Sequence, residues 1–236
     1  MLRDHPQIQM ARVKEVHFFD NERLDWAAPD VSHLHRQFDW TCGPVVRGEA
    51  TPIYIYWQSA LRRLKAYNPD ARVLITLRHP AFRAYSQWKM EVARKRETLS
   101  FIDAISSGRA RVQGAPGGQH RVFSYVERGF YDTQIAELKS LFPEDQLHFF
   151  RTDWLWLEPD RQIGRIEEFL KLDAVLTPRR TYVVPLQSDH NISMSSEARE
   201  LLDDLYRPTI AALGALTGID FEDWKLPDYS EPMSPT

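Results

Sequence analysis

The chain has 236 residues, 30 of them basic and 33 acidic, for a formal charge of −3. Hydrophobic residues make up 43% and charged residues 27%, the balance of a globular domain that buries its core without disulfide or metal staples. This is not the footprint of a non-specific nucleic-acid binder, and the single cysteine, Cys42, excludes an internal disulfide or a cysteine-cluster zinc site.

The start, MLRDHPQIQM, places Asp4 and His5 where a secretory signal would be apolar, and it shows no strand pattern. The block KEVHFFD, residues 14 to 20, interleaves apolar and polar residues and predicts a strand or strand end. Residues 21 to 47 read as a loop weighted by Trp26, Phe38 and Trp40. Thr51-Pro52 predicts a helix start with threonine as the cap, continuing to Tyr67. Val73 to Leu77 is an apolar run of the kind buried on both faces of a parallel sheet. His79-Pro80 ends it, and residues 82 to 96 predict a helix.

A loop over 108 to 118 follows, then a helix over 131 to 141 and a second buried strand over 146 to 151. Helices are expected over 160 to 170 and 195 to 216, with Pro208 kinking or breaking the latter. The fold class is therefore α/β, a parallel sheet flanked by helices. One domain is expected over residues 1–226, with a poorly ordered tail over 227–236. No stretch is long and apolar enough to span a membrane.

Two blocks carry candidate chemistry. In LRHPAFRAYS, Arg78 follows the buried strand at the sheet edge where α/β folds place ligands, and Ser86 lies eight residues on. An arginine fork and a hydroxyl beside a helix terminus suit a phosphate; the alternative is surface ion pairs for Arg78 and Arg83, with Ser86 as a cap. In KEVHFFD, side-chain alternation would put Glu15, His17 and Phe19 on one face. A carboxylate beside an imidazole suits proton removal from a hydroxyl; the alternative is a solvated strand edge. Glu49 and Thr51 read as loop and cap residues, and Tyr131 as packing at a helix start. Arg-rich stretches at 62 to 65 and 94 to 96 read as solvated helix faces. His33 and His35 with Asp30 make only a weak metal motif, without a third ligand.

The order of these blocks resembles the sulfotransferases that use 3′-phosphoadenosine 5′-phosphosulfate (PAPS), most closely the heparan-sulfate-type and bacterial carbohydrate branch. HPQI with KEVHFFD, GEATPIY at 48 to 54, LRHPAFRAYSQW at 77 to 88, ERGFYDTQI at 127 to 135 and the stretch 146 to 172 match in order. The resemblance implies a nucleotide-kinase-like fold and sulfuryl transfer from PAPS to a hydroxyl of a carbohydrate or small metabolite, with no metal. It implies that Glu15 is the base, supported by His17 and Asp20, and that Lys14 neutralises the sulfonate or leaving group. Arg78 and Ser86 would grip the nucleotide's 3′-phosphate, with Tyr131 nearby.

Two departures stand out. Ala50 replaces a lysine common in the glycan branch, and no glycine-rich phosphosulfate loop precedes residue 5. The expectation is a chain that starts one strand and one loop late. The alternative is a non-catalytic sulfotransferase-like binding protein; a related phosphotransferase would need the missing loop. Acceptor choice is expected in residues 21 to 47, 106 to 126 and 173 to 195. On the residues present, the chain reads as cytoplasmic.

Overall fold

A computed structural model describes residues 2–41, 43, 45–175 and 193–232. Cys42, most of the expected loop at 173 to 195, and the last four residues lie outside them.

In chain order the elements are β1 (Ile8–Met10), α1 (Ser32–His35), β2 (Val46–Gly48), α2 (Gln58–Tyr67), β3 (Val73–Leu77) and α3 (Pro80–Ala93). Then come α4 (Phe101–Ile105), α5 (Ala110–Gln113), α6 (Tyr131–Leu141), β4 (Leu147–Arg151), α7 (Thr152–Leu157), α8 (Pro159–Leu170) and α9 (Ser196–Thr217). The α/β class holds. Among the described residues the strands form two sheets of two: β1 pairs with β2 in parallel, Ile8 opposite Val46 and Met10 opposite Gly48, and β3 pairs with β4.

The chain divides into two compact units. One comprises Met1–Ile75, Glu137–His148 and Trp154–Tyr182; the other comprises Thr76–Ala136, Phe149–Asp153 and Val183–Thr236.

In the first unit the largest difference from expectation lies at residues 14 to 20. They form no strand, and Glu15 and His17 have positive φ of 56° and 53°. A strand would turn Phe18 and Phe19 to opposite faces. Here both are buried, at 1% and 2% exposure, as is Val16 at 6%. The rings of Phe18 and Phe19 meet edge to face at 5.1 Å, and Phe18 meets Trp26 at 5.5 Å. Burying two phenylalanines contributes about 1.5–3 kcal/mol each. A left-handed non-glycine residue costs about 1–2 kcal/mol. Burial therefore offsets the strain, and the broken alternation leaves His17 half exposed.

β1 lies in the opening stretch where no strand was expected, because three residues are too short to show a period. The helix expected from Pro52 to Tyr67 is interrupted: a 3-10 turn covers Pro52–Ile55, and Trp57 at ψ 87° precedes α2. Trp57 donates from Nε1 to Glu22 Oε1 at 2.6 Å, which holds it out of helical register.

In the second unit, α3 packs against α9. Ala81, Ala84, Ala198, Leu202, Tyr206 and Leu213 are buried there. α9 runs through Pro208 without the expected break. Proline lacks the N–H that would bond the carbonyl four residues back, so the helix continues with one hydrogen bond fewer. Gly218 caps α9 at φ 72°, its N–H bonding Gly214 O at 2.9 Å. The expected loop at 108 to 118 contains α5 and two 3-10 turns.

Gly129 admits no side chain, since a Cβ there would sit 2.5 Å from Tyr206 Cζ. Tyr206 is fully buried and its hydroxyl donates to Val126 O at 2.8 Å, so the ring has no room to yield. Gly129→Ala is expected to destabilise the fold by about 1–3 kcal/mol, the cost of overpacking. Urea denaturation of the two proteins checks this; an unchanged midpoint would refute it.

Candidate functional site

The candidate proton-handling group lies in the first unit. Glu15 Oε2 is 3.5 Å from His17 Nε2, and His17 Nδ1 is 2.9 Å from Asp20 Oδ2. The imidazole therefore sits between two carboxylates. Asp20 is fully buried, whereas the side chains of Glu15 and His17 are 36% and 46% exposed. Asp20 fixes the ring while Glu15 meets solvent. Lys14 reaches to 3.8 Å of Glu15 Oε1, and its ammonium is 85% exposed. All four residues named from sequence in this block come together, although the face-sharing strand invoked for them does not form.

The backbone of this segment is held by side chains. His17 N donates to Thr51 Oγ1 at 3.4 Å. Phe18 N and Phe19 N donate to the Tyr54 hydroxyl at 3.0 and 3.3 Å. Arg63 Nη1 donates to Phe19 O at 2.9 Å. The same guanidinium grips Glu22 through Nη1 at 2.9 Å and Nη2 at 2.6 Å. Arg63 thereby holds the Glu22 carboxyl at about 2, well below the usual range. Arg63 is only 15% exposed, so it is not part of a solvated helix face.

Thr51 makes no cap bond to its helix; it donates to Glu49 Oε2 at 2.7 Å. Burial raises the pKa of Glu49. Sequence reasoning took Thr51 as a cap. The available signal was weak: a carboxylate and two hydroxyls within six residues of GEATPIY.

The candidate anion group lies in the second unit. Arg78 follows β3 at its carboxyl end, as expected. Its guanidinium holds the Glu231 carboxylate in a two-pronged contact, Nε to Oε1 at 2.7 Å and Nη2 to Oε2 at 2.6 Å. Tyr131 donates from its hydroxyl to Arg78 O at 2.9 Å and is itself buried. Ser86 is the seventh residue of α3, in its second turn and not at its terminus. Its hydroxyl makes no hydrogen bond among the described residues. Arg83 donates to Gln87 Oε1 at 2.8 Å and to Tyr125 O, a structural role.

Glu231 was not foreseen, because it belongs to the stretch expected to be poorly ordered. There Tyr229 stacks on His79, ring centroids 5.0 Å apart at 16°. His79 donates from Nε2 to Trp224 O at 3.1 Å, and burial pushes its pKa down to about 3. A neutral ring under Tyr229 anchors the segment two residues before Glu231.

Elsewhere, His35 meets the Tyr67 hydroxyl at 2.8 Å. No group of three metal-ligating side chains gathers among the described residues. No helix among them is long and apolar enough to cross a membrane.

No family model matches the chain. Human heparan sulfate glucosamine 3-O-sulfotransferase 6 is 31% identical over 185 residues, covering 77% of this chain and 50% of that protein. Human heparan sulfate glucosamine 3-O-sulfotransferase 3B1 is 25% identical over 181 residues, covering 77% of this chain and 44% of that one. A crystal structure of a sulfotransferase from Alicyclobacillus acidocaldarius superposes with a TM-score of 0.80 at 26% identity, covering 95% of this chain and 91% of that one. The chain belongs to the sulfotransferase family. It spans about half the length of the curated relatives it matches.

Proposed function

We propose that this chain transfers the sulfuryl group of PAPS to a hydroxyl of a carbohydrate acceptor, with a small metabolite as the other candidate class. The observation that carries the reading is the Glu15–His17–Asp20 chain, with His17 held at 2.9 Å from a fully buried carboxylate.

Glu15 takes the proton of the acceptor hydroxyl as the oxygen approaches sulfur. His17 Nε2 lies 3.5 Å from that carboxylate, and Asp20 holds the ring through Nδ1. Lys14 brings a mobile positive charge to the same place, where a sulfonate carries negative charge. Bound PAPS supplies an electrophilic sulfur and a phosphate leaving group.

The residues of the second unit fit an anion of that kind. Arg78 already binds a carboxylate in the two-pronged geometry that guanidinium uses for phosphate. In this reading Arg78 binds the 3′-phosphate after Glu231 leaves, and Ser86 offers its hydroxyl. Tyr131 supports Arg78 by fixing the carbonyl of its backbone. The non-catalytic alternative gives no role to two residues held at positive φ around a histidine.

Incubation with sulfur-labelled PAPS and a panel of heparan sulfate, chondroitin, dextran and small sugars tests the reading. Label is expected on at least one saccharide. No transfer to any of them, together with no heat on titration with adenosine 3′,5′-bisphosphate, would overturn it.

A further inference from the structure

We infer that Arg63 is a positioning residue for the proton-handling group: its guanidinium locks the peptide between Phe19 and Asp20 in the setting that aims the Asp20 carboxylate at His17. This rests on the sulfuryl-transfer reading above, and it adds a residue that the reading does not use.

Asp20 sits in the middle of a tight turn. Phe18 O accepts from Asn21 N at 3.2 Å, which closes a four-residue turn with Phe19 and Asp20 as its central pair. That bond ties the two outer peptides and leaves the middle one, between Phe19 and Asp20, without a partner from the turn itself. A middle peptide can face either way: types I and II differ chiefly by turning it over, which reverses the sign of φ at the third residue. Here the third residue is Asp20, which keeps a negative φ, unlike Glu15 and His17. Because the peptide is planar, its rotation carries the Asp20 Cα with it. The carboxylate then leaves its 2.9 Å contact with His17 Nδ1.

Arg63 holds that middle peptide. From α2, 44 residues on, its Nη1 donates to Phe19 O at 2.9 Å. The guanidinium is itself fixed. Nη1 and Nη2 meet the two oxygens of Glu22 at 2.9 and 2.6 Å, and Cζ lies 4.2 Å over the Trp26 ring. Glu22 Oε1 also accepts from Trp57 Nε1 at 2.6 Å and from Ser59 Oγ at 2.9 Å. Trp26 Nε1 donates to Asn21 O at 2.9 Å. The carboxylate is thus tied to the start of α2 and the ring to the end of the turn.

Three acceptor oxygens meet one side chain, and a rigid fork of five donors serves them together. A lysine ammonium carries the same charge on one nitrogen and does not span the carboxylate and the carbonyl at once. Arg63 touches none of Glu15, His17 and Asp20 through these bonds. It acts through the backbone that carries Asp20.

The test compares the full chain with Arg63→Lys, in the wild-type background and in that of Asp20→Ala. Turnover is measured with PAPS and the saccharide that takes label in the panel above, and the nitrogen resonance of His17 Nδ1 reports its contact with Asp20. Arg63→Lys is expected to lower kcat by about 10- to 100-fold, the cost of a displacement near 1 Å, with the KM for PAPS held. The Nδ1 resonance is expected to move toward its position in Asp20→Ala. In the Asp20→Ala background the same change is expected to cost less than about twofold, since residues that act through one contact do not add. A residue that merely stabilises the fold would lower kcat alike in both backgrounds and leave the resonance in place. Glu22→Gln loosens the guanidinium and keeps it, so it is expected to move both readouts the same way by a smaller step. It takes the place of Arg63→Lys if that variant does not fold.

An unmoved Nδ1 resonance in the folded variants would overturn the inference. An equal loss of kcat in the two backgrounds would overturn it as well. A wild type that labels no saccharide would count against sulfuryl transfer, while the resonance would still decide whether Arg63 sets Asp20.

Discussion

Glu15→Gln is expected to lower kcat for sulfuryl transfer by about 10² to 10⁴, the usual worth of a positioned general base. Affinity for adenosine 3′,5′-bisphosphate is expected to stay nearly unchanged. The substitution keeps the side chain's size and removes its ability to take a proton. Glu15 contacts are few: His17 Nε2 at 3.5 Å and Lys14 Nζ at 3.8 Å. The segment is anchored instead by Phe18, Phe19 and the hydroxyls of Thr51 and Tyr54, so the fold should tolerate the change. Steady-state turnover with labelled PAPS and calorimetry with the bisphosphate measure the two quantities separately. Retained turnover would remove Glu15 from its role. A joint loss of turnover and nucleotide affinity would mean that Glu15 acts in binding.

Arg78→Ala is expected to weaken binding of adenosine 3′,5′-bisphosphate by at least about 1.5 kcal/mol, or more than tenfold. The removed group is a charged fork whose two prongs already hold a carboxylate at 2.7 and 2.6 Å. That carboxylate must leave before a phosphate can enter. Glu231→Gln is therefore expected to act in the opposite direction. Since Arg78 and Glu231 are 31% and 13% exposed, the pair is partly screened. A gain of about two- to fivefold in affinity fits a contact of this kind. Calorimetry on both variants checks the pair of signs. If Arg78→Ala binds as wild type does, the phosphate assignment fails. If Glu231→Gln binds no more tightly, the carboxylate does not compete.

Helices and strands with strong local patterns were legible in the sequence. The apolar run Val73 to Leu77, the amphipathic helix from Tyr131 to Leu141, and the serine-capped, glycine-ended α9 all lie where their periods and caps put them. Local interactions decide such elements, so local sequence reveals them. β1 and β2 were not legible, because each has three residues and exists only through pairing with the other.

For the candidate site, residue identity was legible and arrangement was not. The spacing in KEVHFFD brought out Lys14, Glu15, His17 and Asp20, but through a strand that does not exist. Burying Val16, Phe18 and Phe19 in one core breaks the alternation on which that strand was argued. Arg63 shows the same limit. Composition makes it a surface cation, whereas its partners, Phe19 O and Glu22, lie more than 40 residues away in sequence.

The sequence by itself determined the chemistry on offer: a carboxylate, an imidazole and an arginine fork in a fixed order of motifs, within an α/β chain. Its length and composition allowed a core without staples and excluded an internal disulfide or a cysteine-cluster zinc site. Tertiary structure alone decided which groups meet. It set His17 between Glu15 and Asp20, turned the hydroxyls of Thr51 and Tyr54 onto the backbone, and brought Glu231 from the far end of the chain onto Arg78. The physical reason is that hydrogen bonds and ion pairs between distant residues depend on how the core is filled. Net charge and motif spacing carry no record of that packing. A composition of 33 acidic and 30 basic residues was silent about the carboxylate of Glu231 that meets Arg78.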